Sequence, residues 1–164
     1  MSKKKKIILL ILILLCCYWI VFYYLCFLYE KNGWLIEIYS NCGVWLKNPK
    51  KTDIIFRYEY KKGKDLEIFH YDDINTITKL SDFKKIGKDK QRVNNLIINY
   101  YNQLNLDQKS KFDKNVEIDE LINSENYYFY KNYTAIKNND RYVLMIADKH
   151  NNKLYYIHIR EWNL

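Results

Sequence analysis

Glycine occurs only four times in these 164 residues and proline once, at Pro49. Gly33, Gly43, Gly63 and Gly87 never cluster, which excludes the glycine-rich loops that bring backbone amides up to a phosphate or a dinucleotide. Of the four cysteines, Cys16, Cys17 and Cys26 precede Gly33, leaving Cys42 alone in the rest of the chain. One cysteine cannot form an internal disulfide, so the stability of that region must come from its core. Cys42 is then an unpaired thiol or a link between two chains. Histidine is scarce as well: His70, His150 and His158 fall at no ligand spacing, so no metal and no cofactor is expected. The serines Ser40, Ser81, Ser110 and Ser124 lack the strand-to-helix elbow of a hydrolase nucleophile.

Charge is missing altogether from Ile7 to Leu28. At the helical rise that run covers about 33 Å, one hydrocarbon core. It is longer than a secretory signal core and is followed by Tyr29 and Glu30 rather than by small residues, so a retained anchor is expected in place of a cleaved leader. Lipidation is not expected either, because Leu15, Cys16 and Leu25 stand before the three cysteines where a small residue is required. Lys3, Lys4, Lys5 and Lys6 precede the run, whereas Lys31 is the only Lys or Arg between Tyr29 and Leu46. The positive-inside rule then gives residues 1–6 as a cytoplasmic tail, 7–28 as a single span in the cell (inner) membrane, and 33–164 as a globular domain on the periplasmic or extracellular side. The lipid bilayer is thus the first partner expected, contacted through Ile7 to Leu28.

The formal charge of +8 is less informative than it looks, because Lys3 to Lys6 supply half of it. Both signs are interspersed from Gly33 onward, and Lys and Asn are encoded by A/T-rich codons, so a low-GC genome accounts for their abundance. Nucleic acid is not an expected partner.

What remains is patterned. "DIIFRYEYKKGKDLEIFHY" reads as a hairpin, with Ile54, Phe56, Tyr58 and Tyr60 alternating, a turn at "KKGK", and a return over Leu66 to Tyr71. Val93, Leu96, Ile97, Tyr100, Tyr101 and Leu104 recur at the spacing of one helical face, predicting a main helix from Lys90 to Leu104 with Arg92, Asn95 and Asn99 turned away. The stretch from Asp107 to Asn126 is polar and predicts one or two short helical turns. "NYYFYKNYTAI", "RYVLMIAD" and "KLYYIHIREW" predict a three-stranded antiparallel meander. The expected fold class is α+β: a meander and a hairpin, one mostly antiparallel sheet, packed on one main helix.

A two-residue turn at Asn151 and Asn152 sets His158 opposite Met145 and Arg160 opposite Val143. Leu144, Ile146, Tyr155, Ile157 and Ile159 then form the apolar face under the helix, and Tyr156, His158 and Arg160 line the other side. An imidazole, a guanidinium and a phenol on one face can hold an acidic or aromatic partner, so Tyr156, His158 and Arg160 are the candidate binding residues, on a face that otherwise reads as solvated. His70 beside Asp72 and Asp73 has the residue types of a general base or a metal site, but the two acids alternate faces and suit a strand-ending turn.

No residue is assigned as catalytic. The function expected is that of an anchored domain binding another envelope protein, as an envelope-complex subunit or an immunity-type factor would. The alternatives are an envelope-acting enzyme with His158 or His70 and a carboxylate as acid and base, and a structural spacer.

Overall fold

The computed structural model describes residues 14–23, 35, 38–39, 42–57, 62–132 and 142–161, the side chains of Lys62, Arg160 and Glu161 excepted. The chain forms two compact units, Met1–Asn48 and Pro49–Leu164.

In the first unit residues 14–23 are helical, and Tyr18, Trp19, Phe22 and Tyr23 are exposed along them. The rest of the stretch from Ile7 to Leu28 lies outside the described residues, and among those described no helix is long and apolar enough to cross a membrane. Ile38, Tyr39 and Cys42 are helical, and Gly43 ends that turn at φ 74° with its amide on the Tyr39 carbonyl at 2.7 Å. A left-handed residue at this position is where a missing Cβ removes the strain.

The second unit is α+β. Its strands are β1 (Lys51–Phe56), β2 (Lys62–His70), β3 (Lys84–Lys85), β4 (Tyr127–Asn132), β5 (Tyr142–Asp148) and β6 (Lys153–Glu161). Its helices are α1 (Asn75–Thr78), α2 (Lys90–Asn102), α3 (Leu106–Asn115) and α4 (Ile118–Leu121). The strands form one antiparallel sheet in the order β1-β2-β6-β5-β4-β3. The hairpin and the meander therefore join through β6, which pairs with β2 along its whole length. Lys62, Gly63 and Lys64, expected in the turn, belong to β2; Tyr58 and Tyr60 lie outside the described residues.

The main helix forms as its periodicity predicts and buries Val93, Ile97 and Tyr100. These pack with Leu66, Ile68, Leu144, Ile146, Tyr155, Ile157 and Ile159, the apolar face of the sheet. The segment after it is more helical than its polarity suggests. Asn105 accepts the Gln108 amide at 2.9 Å and the Gln108 side chain accepts the Asn105 amide at 3.2 Å, a reciprocal cap that starts α3.

Two expectations need correction. The β5–β6 connection spans Lys149 to Asn152, so His158 opposes Val143 and Tyr156 opposes Met145. The reason is Asp148, whose carboxylate accepts the amides of His150 and Asn151 at 3.0 and 3.3 Å and draws four residues into the turn. The displacement is two residues, an even number, so each side chain keeps its predicted face. The second correction concerns exposure. The face opposite α2 is buried, not solvated, at Phe69, Phe129, Val143, Met145, Ala147, Leu154 and Tyr156. Phe83, ahead of β3, packs on it against Phe129 at 5.9 Å between ring centroids. The continuous apolar run "YVLMIA" of β5 is the sequence of a strand covered on both sides.

Candidate functional site

Register places four polar side chains on one patch of that second face. Asp65 pairs directly with His158, and Glu67 with Tyr156, across the β2–β6 ladder. His158 Nδ1 lies 3.1 Å from the Tyr156 hydroxyl and 3.4 Å from Asp65 Oδ2. Glu67 Oε1 meets Arg57 Nε at 3.0 Å. Asp65 and Glu67 are 0% and 2% exposed, and Tyr156 and His158 are 2% and 6%. Carboxylates this deep stay in place only when charge and hydrogen bonds offset the lost hydration. The His158 imidazole lies beside Asp65, and the Arg57 guanidinium sets an opposite charge beside Glu67.

Of the three residues singled out in the sequence, the structure brings Tyr156 and His158 together. Arg160 pairs with Gly63 in the ladder, and its side chain lies outside the described residues. Asp65, Glu67 and Arg57 were missed because "KDLE" after a Lys-Gly turn reads as the solvated half of an alternating strand. Only the choice of β6 as neighbour sets those acids against an imidazole.

A second His–carboxylate pair sits on the opposite face. His70 Nε2 is 2.7 Å from Asp53 Oδ2, and Lys51 Nζ is 2.8 Å from Asp53 Oδ1. The Lys51 ammonium above all holds the Asp53 carboxyl below the usual carboxylate range; burial opposes it, and the His70 ring adds to the lowering. Asp72 bonds instead to Lys50 at 3.0 Å, and Asp73 accepts the Asn75 amide at 2.9 Å as α1 begins. The trio His70, Asp72 and Asp73 is therefore not assembled. Among the described residues no group of three or more His, Cys, Asp or Glu is placed to hold a metal ion.

Strand alternation separates the two His–carboxylate pairs. Ile68, between Asp65 and His70 in phase with His70, lies in the core under α2, whereas Asp65 and His158 project from the other face. The two imidazoles cannot reach one substrate atom.

An open groove runs along α2 and the turn before it, lined by Lys88, Asp89, Gln91, Arg92, Asn95, Leu96 and Asn99, with a volume of about 630 Å³. The helix is fastened beneath it by two phenols. Tyr128 donates to Asp89 Oδ2 at 2.6 Å, and Tyr142 donates to the Leu96 carbonyl at 2.8 Å. The Arg92 guanidinium stands over the Tyr130 ring, 5.4 Å from its centroid. The groove holds two cations, three carboxamides and the Asp89 carboxylate, and contains neither histidine nor cysteine.

No protein-family model matches this chain, and no curated protein and no solved structure is detectably similar to it.

Proposed function

We propose that this chain is a single-pass membrane protein, held through Ile7 to Leu28 with its amino end in the cytoplasm, whose folded domain binds another protein at the outer face of the membrane. The anchor reading rests on the uncharged run and on the four lysines before it. The binding reading rests on one observation: an open groove of the domain is lined mainly by cations and carboxamides, with Asp89 as its carboxylate and no histidine, and both His–carboxylate pairs lie outside it. An envelope-acting enzyme would need an acid and a base together in the groove that receives its substrate. A binding module needs no such pair, and an envelope-complex subunit or immunity-type factor is the kind of protein that fits.

Both halves are open to test in the full chain. Leu106 is 87% exposed, so Leu106→Cys should react with a membrane-impermeant maleimide on intact host cells. Reaction only after the membrane is permeabilised would remove the orientation. A photocrosslinking residue at Asn95 should give a discrete protein adduct in host membranes that the same residue at Leu106 does not. Identical patterns at the two positions would remove the binding reading.

A further inference from the structure

Gln91, Asn95 and Asn99 follow one another at four-residue intervals and so form a single row on α2, with neighbours about 6 Å apart along the axis. An extended peptide repeats every two residues, at about 6.6 Å. Each carboxamide carries both a donor and an acceptor, the two functions a peptide unit presents. The row therefore matches alternate peptide units of a chain laid along the helix. Among the described residues none of the three side chains makes a hydrogen bond, so their donors and acceptors are directed to the groove's occupant or to water.

Charge sets what that occupant carries. Lys88 and Arg92 flank the row, and among the described residues neither is in an ion pair. Asp89, the carboxylate of the groove, already accepts the Tyr128 hydroxyl at 2.6 Å. The Tyr130 ring steadies Arg92 without neutralising it, leaving the guanidinium N–H groups to meet a carboxylate. The Leu96 carbonyl is fixed to Tyr142, so the row sits on a helix backbone that is tied to the sheet before anything binds.

We propose that this groove takes an extended acidic segment of a partner protein, its backbone held by Gln91, Asn95 and Asn99 and its carboxylates by Lys88 and Arg92. The inference rests on the binding reading above and names the partner's chemistry. A polyanion without a peptide backbone would use the two cations and leave the amide row idle, which separates a protein segment from nucleic acid or anionic lipid.

The test is titration of the full chain in detergent micelles with a fluorescein-labelled peptide of alternating Glu and Thr. Saturable binding is expected, weaker by about tenfold for the counterpart with Gln in place of Glu. Asn95→Ala combined with Asn99→Ala should weaken it by about tenfold with unchanged thermal melting, and Arg92→Glu should abolish it. If Arg92→Glu lowers the melt, Lys88→Ala, outside the helix, supplies the charge reading instead. Equal affinity for the two peptides, undiminished binding by the double amide variant, no saturable binding, or tighter binding of an oligothymidylate or of phosphatidylglycerol vesicles would each overturn the proposal. A crosslinked partner at Asn95 together with indifference to the acidic peptide would overturn this inference alone and leave the binding reading standing.

Discussion

Tyr100 donates its hydroxyl to the backbone carbonyl of Asp65, 2.8 Å away and 35 positions earlier in the chain. The bond ties the buried side of the last turn of α2 to β2 at the residue whose side chain emerges on the opposite face to meet His158. Burial, with the Asp65 carboxylate next, raises the Tyr100 phenol well above its ordinary value, so it is a neutral donor at physiological pH. Tyr100→Phe keeps the ring and removes this bond to the carbonyl. The expected loss is about 1–2 kcal/mol, read as a lower denaturant midpoint at unchanged slope.

The two faces of β6 should respond differently to substitution. Ile157 is fully buried between Leu144 and Leu66, so Ile157→Asp should cost about 3–5 kcal/mol. His158, one residue on, would be nearly silent on a solvated face. Its burial beside Asp65 instead predicts a loss of about 1–3 kcal/mol for His158→Ala, because a buried carboxylate gives up one of its partners. Thermal melting of the two variants side by side checks both values, and a silent His158→Ala would mean that Asp65 draws its support elsewhere.

Alkali should unfold the domain sooner than its lysine content suggests. Burial pushes the Tyr155 phenol up to about 12 and raises Tyr71 and Tyr100 as well. A phenol raised in the folded state contributes stability that is whole below its unfolded value, near 10. That contribution is lost as pH climbs from there towards the folded value, because only the unfolded chain gives up the proton. Tyr155→Phe should flatten the decline between about pH 10 and 12, followed as fluorescence melts across that range. An unaltered slope would place the alkaline sensitivity in the other tyrosines.

The start of α3 offers a local test. Asn105→Ala removes one half of the reciprocal cap with Gln108 and should lower stability by about 1 kcal/mol. Asn105→Ser, which retains an acceptor for the Gln108 amide, should recover most of it. Both are measurable by chemical denaturation, and equal losses from the two would mean that the cap is not what starts the helix.

The sequence alone determined what is local in its physics. Period and length decide whether a segment is a helix or a strand, and hence α2, the three terminal strands and the face on which Ile157 and Tyr155 lie were legible from the spacing of apolar residues. The sense of each side chain also survived the error in the β5–β6 turn, because strand alternation depends on parity and the displacement was even. Tertiary structure decided what depends on residues far apart meeting. That β6 takes β2 as its second neighbour is written in neither strand, yet it is what sets Asp65 against His158 and Glu67 against Tyr156. The second face is likewise buried, with Phe83 from the segment after β2 packed on Phe129, and a hydropathy pattern carries no record of which distant side chain will cover a strand. The groove needs both levels. The row of Gln91, Asn95 and Asn99 is a four-residue interval visible in the chain, but Tyr128, Tyr130 and Tyr142 hold the helix and Arg92 beneath it, and only the completed sheet brings those three rings there.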